Sequence, residues 1–135
     1  MRQSNTSPRI FLERRALQGA ILIAGLVPVS AGLVGVIMGG GMAGSAGIDL
    51  DSHVRYLSGL LLGIGLTFWG MVPGIERHGS VVRVLTLLVV LGGLARLAGL
   101  LFVGTPSAPM VAALGMELVV TPLLCVWQMR IAGRL

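Results

Sequence analysis

Apolar residues fall into four long runs that are separated by short polar breaks. The runs cover approximately residues 16–42, 53–75, 80–104 and 109–129. Each run is close to the roughly 20 residues that a helix needs to cross the hydrocarbon core of a bilayer. The pattern therefore predicts an all-α membrane protein, in which residues 1–135 form one domain, an antiparallel bundle of four transmembrane helices.

The three breaks between the runs differ in their chemistry. Residues 39–51 are rich in glycine and end in two acids, residues 76–79 form a charged turn, and residues 105–109 form a proline turn. Pro109 suits the first turn of a helix, where the missing N–H has no partner in any case. Pro122 lies inside the fourth run, where it predicts a kink.

Small residues recur at helical spacing on the first two runs. The first run carries Ala16, Ala20, Ala24, Pro28, Gly32 and Gly35. The second run carries Gly59, Gly63, Thr67, Gly70 and Gly74. Faces of this kind let two helix backbones approach closely in lipid, where packing replaces the hydrophobic effect as the driving force for association. Both stripes are therefore predicted to be packing faces.

Composition and charge agree with a membrane protein and argue against nucleic acid as a partner. Hydrophobic residues make up 55% of the chain and charged residues only 11%, against about 25% charged residues in soluble domains. The net charge of +5 comes from ten arginines and five acids. Most arginines flank the apolar runs and form no single patch, so membrane topology explains them better. The lone Cys125 lies within an apolar run and is interpreted as a packing residue.

The distribution of arginine also predicts the orientation. If both ends of the chain lie on one side, that side holds Arg2, Arg9, Arg14, Arg15, Arg77, Arg83, Arg130 and Arg134. The opposite side then holds only Arg55. Because cytoplasmic loops carry the excess of basic residues, both termini are predicted to be cytoplasmic. The first run is about twice as long as a signal-peptide core, which favours a spanning helix over a cleaved leader.

Two charged residues lie well inside the apolar runs. Arg96 precedes Gly104 by eight residues, and Glu117 follows Pro109 by eight, so on antiparallel helices both lie roughly 12 Å below the outer end. An isolated charge at this depth costs about 2.5 kcal/mol or more, which predicts an ion pair. The pair is either a clasp between two helices or a functional site. It lies on a polar stripe of Glu117, Thr121, Cys125 and Gln128.

A second polar cluster covers residues 49–56, at the outer end of the second run. Its Asp and His residues do not match a known metal-binding spacing, so no metal site is predicted. Asp51 or Ser52 is expected to cap the second helix, and Arg55 and Tyr56 to anchor it at the interface. If helices two to four face a common centre, five residues line a cavity open to the outside: His53, Arg55, Tyr56, Arg96 and Glu117.

Four segments carry a resemblance to a known family: residues 50–59, 63–69, 91–97 and 115–118. Over roughly residues 15–130 the chain resembles the bacterial family catalogued as domain of unknown function 4345. The resemblance implies a four-helix protein of the bacterial inner (plasma) membrane. It also implies that the His, Arg, Arg and Glu in these segments recur in the family. It implies no activity.

Four functions fit these features, and the first is favoured. A binding module would hold a small amphiphilic or lipid-like molecule with its polar end against the five cavity residues. An accessory subunit would pack against other membrane protein subunits through its glycine stripes. An intramembrane enzyme would use Glu117 or His53 as a proton carrier. A dimeric transporter of the small multidrug type would use Glu117, but Arg96 would neutralise its cation site. The catalytic residues and any cofactor stay unknown. A role other than an enzyme is favoured, and membrane lipid is one predicted partner.

Overall fold

The computed structural model describes residues 8–43 and 47–134, and almost all of them are helical. The α-helices are α1 (Pro8–Met38), α2 (Ile48–Met71), α3 (Gly79–Phe102), α4 (Ala108–Gly115) and α5 (Thr121–Ala132). Shorter 3₁₀-helices cover Gly39–Ala43 and Val72–Arg77, and a π-helical turn, Met116–Val120, joins α4 to α5.

The described residues contain four helical stretches that are long and apolar enough to cross a membrane. They are Pro8–Gly41, Ile48–Arg77, Gly79–Phe102 and Ala108–Ala132. The prediction of an all-α chain with four such helices is confirmed. The helices suggest a multi-pass membrane protein in contact with lipid. The orientation of the termini stays a prediction.

Two helices begin earlier than the apolar runs predict. Helix α1 begins at Pro8, although its first apolar run was predicted to begin at residue 16. Helix α2 begins at Ile48 and carries Asp49 and Asp51 in its first turn. Acidic side chains at this position stabilise a helix by interacting with the positive end of its dipole. Hydropathy marks the part of a helix that can lie in lipid, and polar turns extend beyond it.

Contacts within the chain divide it into two compact units. The hairpin unit contains the described residues between 21 and 73, and the carboxyl-terminal unit contains residues 8–20 and 74–134. The single four-helix domain over residues 1–135 stays a prediction, because each unit has its own packing.

In the hairpin unit, α1 and α2 are antiparallel and pack through glycines. A Cβ at Gly32 would lie 2.6 Å from the Leu62 nitrogen and 2.8 Å from the Ser58 carbonyl oxygen, so the two backbones are in direct contact. Gly25 leaves room for the Trp69 indole, whose Nε1 donates a hydrogen bond to the Leu22 carbonyl at 3.1 Å. The packing face predicted on the first helix is therefore correct at Gly32.

The face predicted on the second helix is not the one that packs against α1. No atom lies within 4 Å of a Cβ built at Gly63 or Gly70, and both glycines are exposed. The buried glycine of α2 is Gly65, whose Cβ would lie 2.7 Å from a methyl group of Val29. Small residues at helical spacing mark a face that can pack closely, and the position of the neighbouring helix decides which face does so.

In the carboxyl-terminal unit, α3 packs antiparallel to the π-helical turn and α5. A Cβ at Gly93 would lie 2.7 Å from Leu118 and 2.9 Å from the Glu117 Cβ. At the other end of the helices Gln128 is 1% exposed, and its Nε2 donates to the Ile75 carbonyl at 2.9 Å. The apolar core of this end contains Leu17, Ile75, Val82, Cys125 and Ile131.

Candidate ligand-binding site

The ion pair predicted between the third and fourth helices is present in the carboxyl-terminal unit. Arg96 on α3 donates from Nε to Glu117 Oε2 and from Nη2 to Glu117 Oε1, each at 3.1 Å. The exposed fraction of the side chain is 33% for Arg96 and 18% for Glu117. Two parallel N–H···O bonds make this a bidentate pair, the strongest geometry between a guanidinium and a carboxylate.

Glycine and an irregular helix turn place the two charges side by side. Gly93 lies one turn before Arg96 on α3, and its missing side chain lets the Glu117 backbone approach. Glu117 belongs to the π-helical turn, Met116–Val120, and the hydroxyl of Thr121 donates to the Met116 carbonyl at 2.9 Å.

The π-helical turn has a local cause in the sequence. Pro122 lies two residues after the end of this turn, and a proline has no N–H to donate and collides with the carbonyl four residues earlier. Widening the preceding turn by one residue removes that collision. The kink predicted at Pro122 therefore takes the form of a π-helical turn, which is the type of irregularity found frequently at functional sites.

The third nitrogen of the Arg96 guanidinium has a poor partner. Nη1 points to the sulfur of Met110 on α4, at 3.1 Å. A thioether sulfur is a weak acceptor, whereas both carboxylate oxygens of Glu117 are strong ones. The guanidinium therefore keeps hydrogen-bonding capacity on the side that faces away from Glu117.

A shallow pocket of about 340 Å³, largely open to its surroundings, is lined by both Arg96 and Met110. Its lining is formed by the end of α3, the loop that follows and the start of α4: Arg96, Gly99, Leu100, Val103, Gly104, Pro106 and Met110. Among the described residues of this lining, only Arg96 carries a charge. Gly99 leaves open space, since no atom lies within 4 Å of a Cβ built there. The volume is at the small end of the range for ligand pockets, about 300–1,000 Å³.

The other predicted arginine, Arg55, has a structural role in the hairpin unit. Its Nη1 donates to the carbonyls of Val36 and Ile37 at 2.6 and 3.0 Å, which are among the last carbonyls of α1. Its Nε donates to Asp51 Oδ2 at 2.8 Å. Arg55 thus fastens α2 to the carboxyl end of α1, where helix carbonyls lack partners of their own.

Asp51 takes part in the same set of contacts. The prediction that Asp51 or Ser52 caps α2 is wrong. The residue at the cap position is Gly47, which makes no side-chain cap, and Ser52 lies inside the helix. The Asp51 carboxylate instead accepts the N–H of Gly40 at 2.8 Å. The preceding Gly39 has φ +57°, a backbone conformation that favours glycine.

His53 and Tyr56 are exposed on α2, and the Tyr56 side chain is 64% exposed. Together with Arg55 they belong to the hairpin unit, whereas Arg96 and Glu117 belong to the carboxyl-terminal unit. The common cavity of all five residues stays a prediction. Among the described residues, no group of three or more His, Cys, Asp and Glu side chains could hold a metal ion.

Sequence reasoning missed the hairpin fastening and the pocket. The spacing of Asp51 and Arg55, four residues apart, is a typical helix ion pair and was a usable signal. For the pocket, Gly99 on the same helix face as Arg96 was a signal of free space, but the rest of the lining depends on the path of residues 103–107.

The family described as "Domain of unknown function (DUF4345)" matches residues 16–128, and the chain belongs to this family. The resemblance identified from the sequence is confirmed. No curated protein and no solved structure matches the chain. The family description carries no activity, so the chemistry of the site is the guide to function.

Proposed function

We propose that the chain is a multi-pass protein of the bacterial inner membrane that binds a small amphiphilic or lipid-like molecule beside the Arg96–Glu117 pair. Both termini lie in the cytoplasm, in accordance with the arginine distribution. The observation that carries the proposal is the orientation of Arg96. Two of its nitrogens donate hydrogen bonds to Glu117. The third nitrogen contacts only the sulfur of Met110, and both residues line an apolar pocket.

A purely structural clasp explains less of this arrangement. A buried ion pair is weak evidence for stability, because the cost of desolvating two charges offsets much of their attraction. A clasp needs no pocket, whereas Arg96 shares the lining of an open pocket with Gly99 and Gly104. A polar group at one end of an apolar pocket is the usual design of a small-molecule site.

The test is native mass spectrometry of protein that has been gently extracted from membranes, with identification of every bound small molecule. Gly99→Leu fills the pocket without touching the ion pair. Gly92→Leu is the matched control, because this glycine of α3 also has open space around it and does not line the pocket. We expect a bound molecule in the wild type and in Gly92→Leu, and its loss in Gly99→Leu. Equal occupancy in all three proteins, or none, would contradict the proposal.

A second candidate function is that of an accessory subunit of a larger membrane complex. It is supported by the exposed small-residue face of α2, formed by Gly59, Gly63, Thr67 and Gly70. Gly63 and Gly70 have open space where a side chain would lie, as expected of a face that receives another helix. The same mass spectrometry would then reveal a stoichiometric protein partner, lost in Gly63→Leu and retained in Gly92→Leu.

A further inference from the structure

We infer that the pocket beside Arg96 selects a neutral, apolar molecule that presents a carbonyl oxygen. This inference rests on the proposed function and specifies its ligand class. Three features of the pocket carry it: the hydrogen-bonding capacity of Arg96, the charge balance of the site, and the chemistry of the remaining lining.

The first feature requires an acceptor atom on the ligand. A guanidinium nitrogen donates hydrogen bonds and cannot accept them. Nε and one N–H of Nη2 of Arg96 are bonded to Glu117, and one N–H of Nη1 contacts the Met110 sulfur. Of the five N–H groups of the guanidinium, these contacts leave one on each terminal nitrogen for a ligand. An oxygen that replaces the Met110 sulfur as acceptor gains a charge-assisted hydrogen bond, which is stronger than a bond between neutral groups.

The second feature disfavours charged ligands. Glu117 already balances the charge of Arg96, and the other lining residues are uncharged. A carboxylate or phosphate would therefore bring an uncompensated charge into apolar surroundings, or would have to break the bidentate pair. A cationic ligand would be repelled by the positive charge of Arg96, and both oxygens of Glu117 already accept hydrogen bonds from Arg96.

The third feature sets the body of the ligand. Leu100, Val103 and Pro106 present apolar surface, and Gly99 and Gly104 present no side chain. The described lining thus offers one donor group and otherwise favours hydrocarbon. A ketone or ester carbonyl on a short apolar body matches this combination. Such a carbonyl could come from a free molecule or from an ester of the membrane lipid, and the experiment separates the two sources.

The experiment uses the full chain in nanodiscs made of diether phospholipid, which has no carbonyl group. The probe is 2-nonanone labelled with ¹³C at the carbonyl, followed by isotope-edited infrared spectroscopy. A hydrogen bond from Arg96 shifts the carbonyl stretch to lower wavenumber. We expect this shift in the wild type and in the control Gly92→Leu, and we expect its loss in Gly99→Leu.

Competitors of similar length test the ligand class. Nonanoate, nonylamine and nonane should each bind roughly tenfold or more weakly than the ketone, as expected for one charge-assisted hydrogen bond. Tighter binding of nonanoate or nonylamine, or equal binding of nonane, would overturn the inference and leave the proposed function standing. Failure of all four to bind, together with the absence of any co-purified molecule, would overturn both.

The lipid source is tested by repeating the titration in nanodiscs of an ester phospholipid with the same chains. A tenfold loss of ketone affinity in the ester lipid would identify the lipid carbonyl as the competing occupant. Unchanged affinity would identify a free carbonyl compound. Either result supports the selection of a neutral acceptor.

Discussion

Two of the arginine–carboxylate pairs of this protein, Arg55–Asp51 and Arg96–Glu117, differ in what Nη1 of the guanidinium contacts. In the hairpin unit, Nη1 of Arg55 donates to two backbone carbonyls, so each nitrogen of this guanidinium has an oxygen acceptor. In the carboxyl-terminal unit, Nη1 of Arg96 contacts a sulfur beside an open pocket. Arg55 is therefore held by oxygen acceptors of the fold itself, whereas Arg96 keeps donor capacity beside an open pocket, where we propose that a ligand binds.

The largest expected effect comes from removing the arginine of the less exposed pair. Arg96→Ala leaves Glu117 without a partner. Because the two side chains are only partly buried, the loss should stay below the roughly 3–5 kcal/mol that breaking a fully buried pair costs. The double variant Arg96→Leu with Glu117→Leu should recover most of that stability and still bind no ligand. Thermal unfolding in detergent measures the first effect, and native mass spectrometry measures the second. Ligand binding by the double variant would show that the pair is only a clasp.

The next effect tests the backbone that supports the Arg55 pair. Gly39→Ala forces a side chain into a left-handed backbone conformation, which costs about 1–2 kcal/mol, and the new Cβ would collide with Asp51. Gly41→Ala is the control, because nothing lies within 4 Å of its Cβ. Only the first variant should lower the unfolding temperature. An equal fall in the unfolding temperature of both variants would mean that the left-handed backbone at Gly39 is not what supports the Arg55–Asp51 contacts.

A smaller effect is expected from Arg55→Ala. The carbonyls of Val36 and Ile37 lose their donor, but the Arg55 side chain is 44% exposed, so water can replace part of what is lost. The unfolding temperature should fall less than in Arg96→Ala, and binding of the ketone probe should not change. A loss of binding without a loss of stability would join Arg55 to the ligand site and erase the contrast between the two arginines.

The smallest effect, and the one that sharpens the contrast most, comes from Met110→Leu. The exchange nearly conserves volume and should cost less than about 1.5 kcal/mol, while it removes the weak acceptor of Arg96. Affinity for the ketone should rise relative to affinity for nonane, because Nη1 then has no competing partner in the protein. Isothermal titration of both compounds measures the ratio. An unchanged ratio would mean that the sulfur contact does not compete with the ligand.

The sequence predicts the helices and the Arg96–Glu117 pair for simple physical reasons. Apolar runs of spanning length reveal helices, and two opposite charges at equal depth in lipid must meet. The contrast between the two arginines could not be predicted in this way. It depends on the close approach at Gly93, on the turn at Gly39, and on the loop beside Met110. These are features of backbone path, which side-chain type alone does not determine.

The polar cluster of residues 49–56 likewise shows that residue type alone does not determine which contacts a side chain makes. Arg55 and Tyr56 were predicted to anchor α2 at the membrane interface, and that role stays a prediction. The structure adds a second role for Arg55, the hydrogen bonds to the last carbonyls of α1, which its residue type alone does not reveal. The grouping of His53, Arg55 and Tyr56 with Arg96 and Glu117 therefore stays a prediction.

The π-helical turn at Met116–Val120 rotates the side chains that follow it about the helix axis, relative to those that precede it. One additional residue accommodated in a turn changes the angular register of the following segment by up to about 100°. The direction of the Glu117 carboxylate relative to Cys125 and Gln128 is therefore set by the number of residues in this stretch as well as by their identity. A one-residue insertion or deletion in Met116–Val120 should therefore change the direction of the Glu117 carboxylate, although every charged side chain is kept.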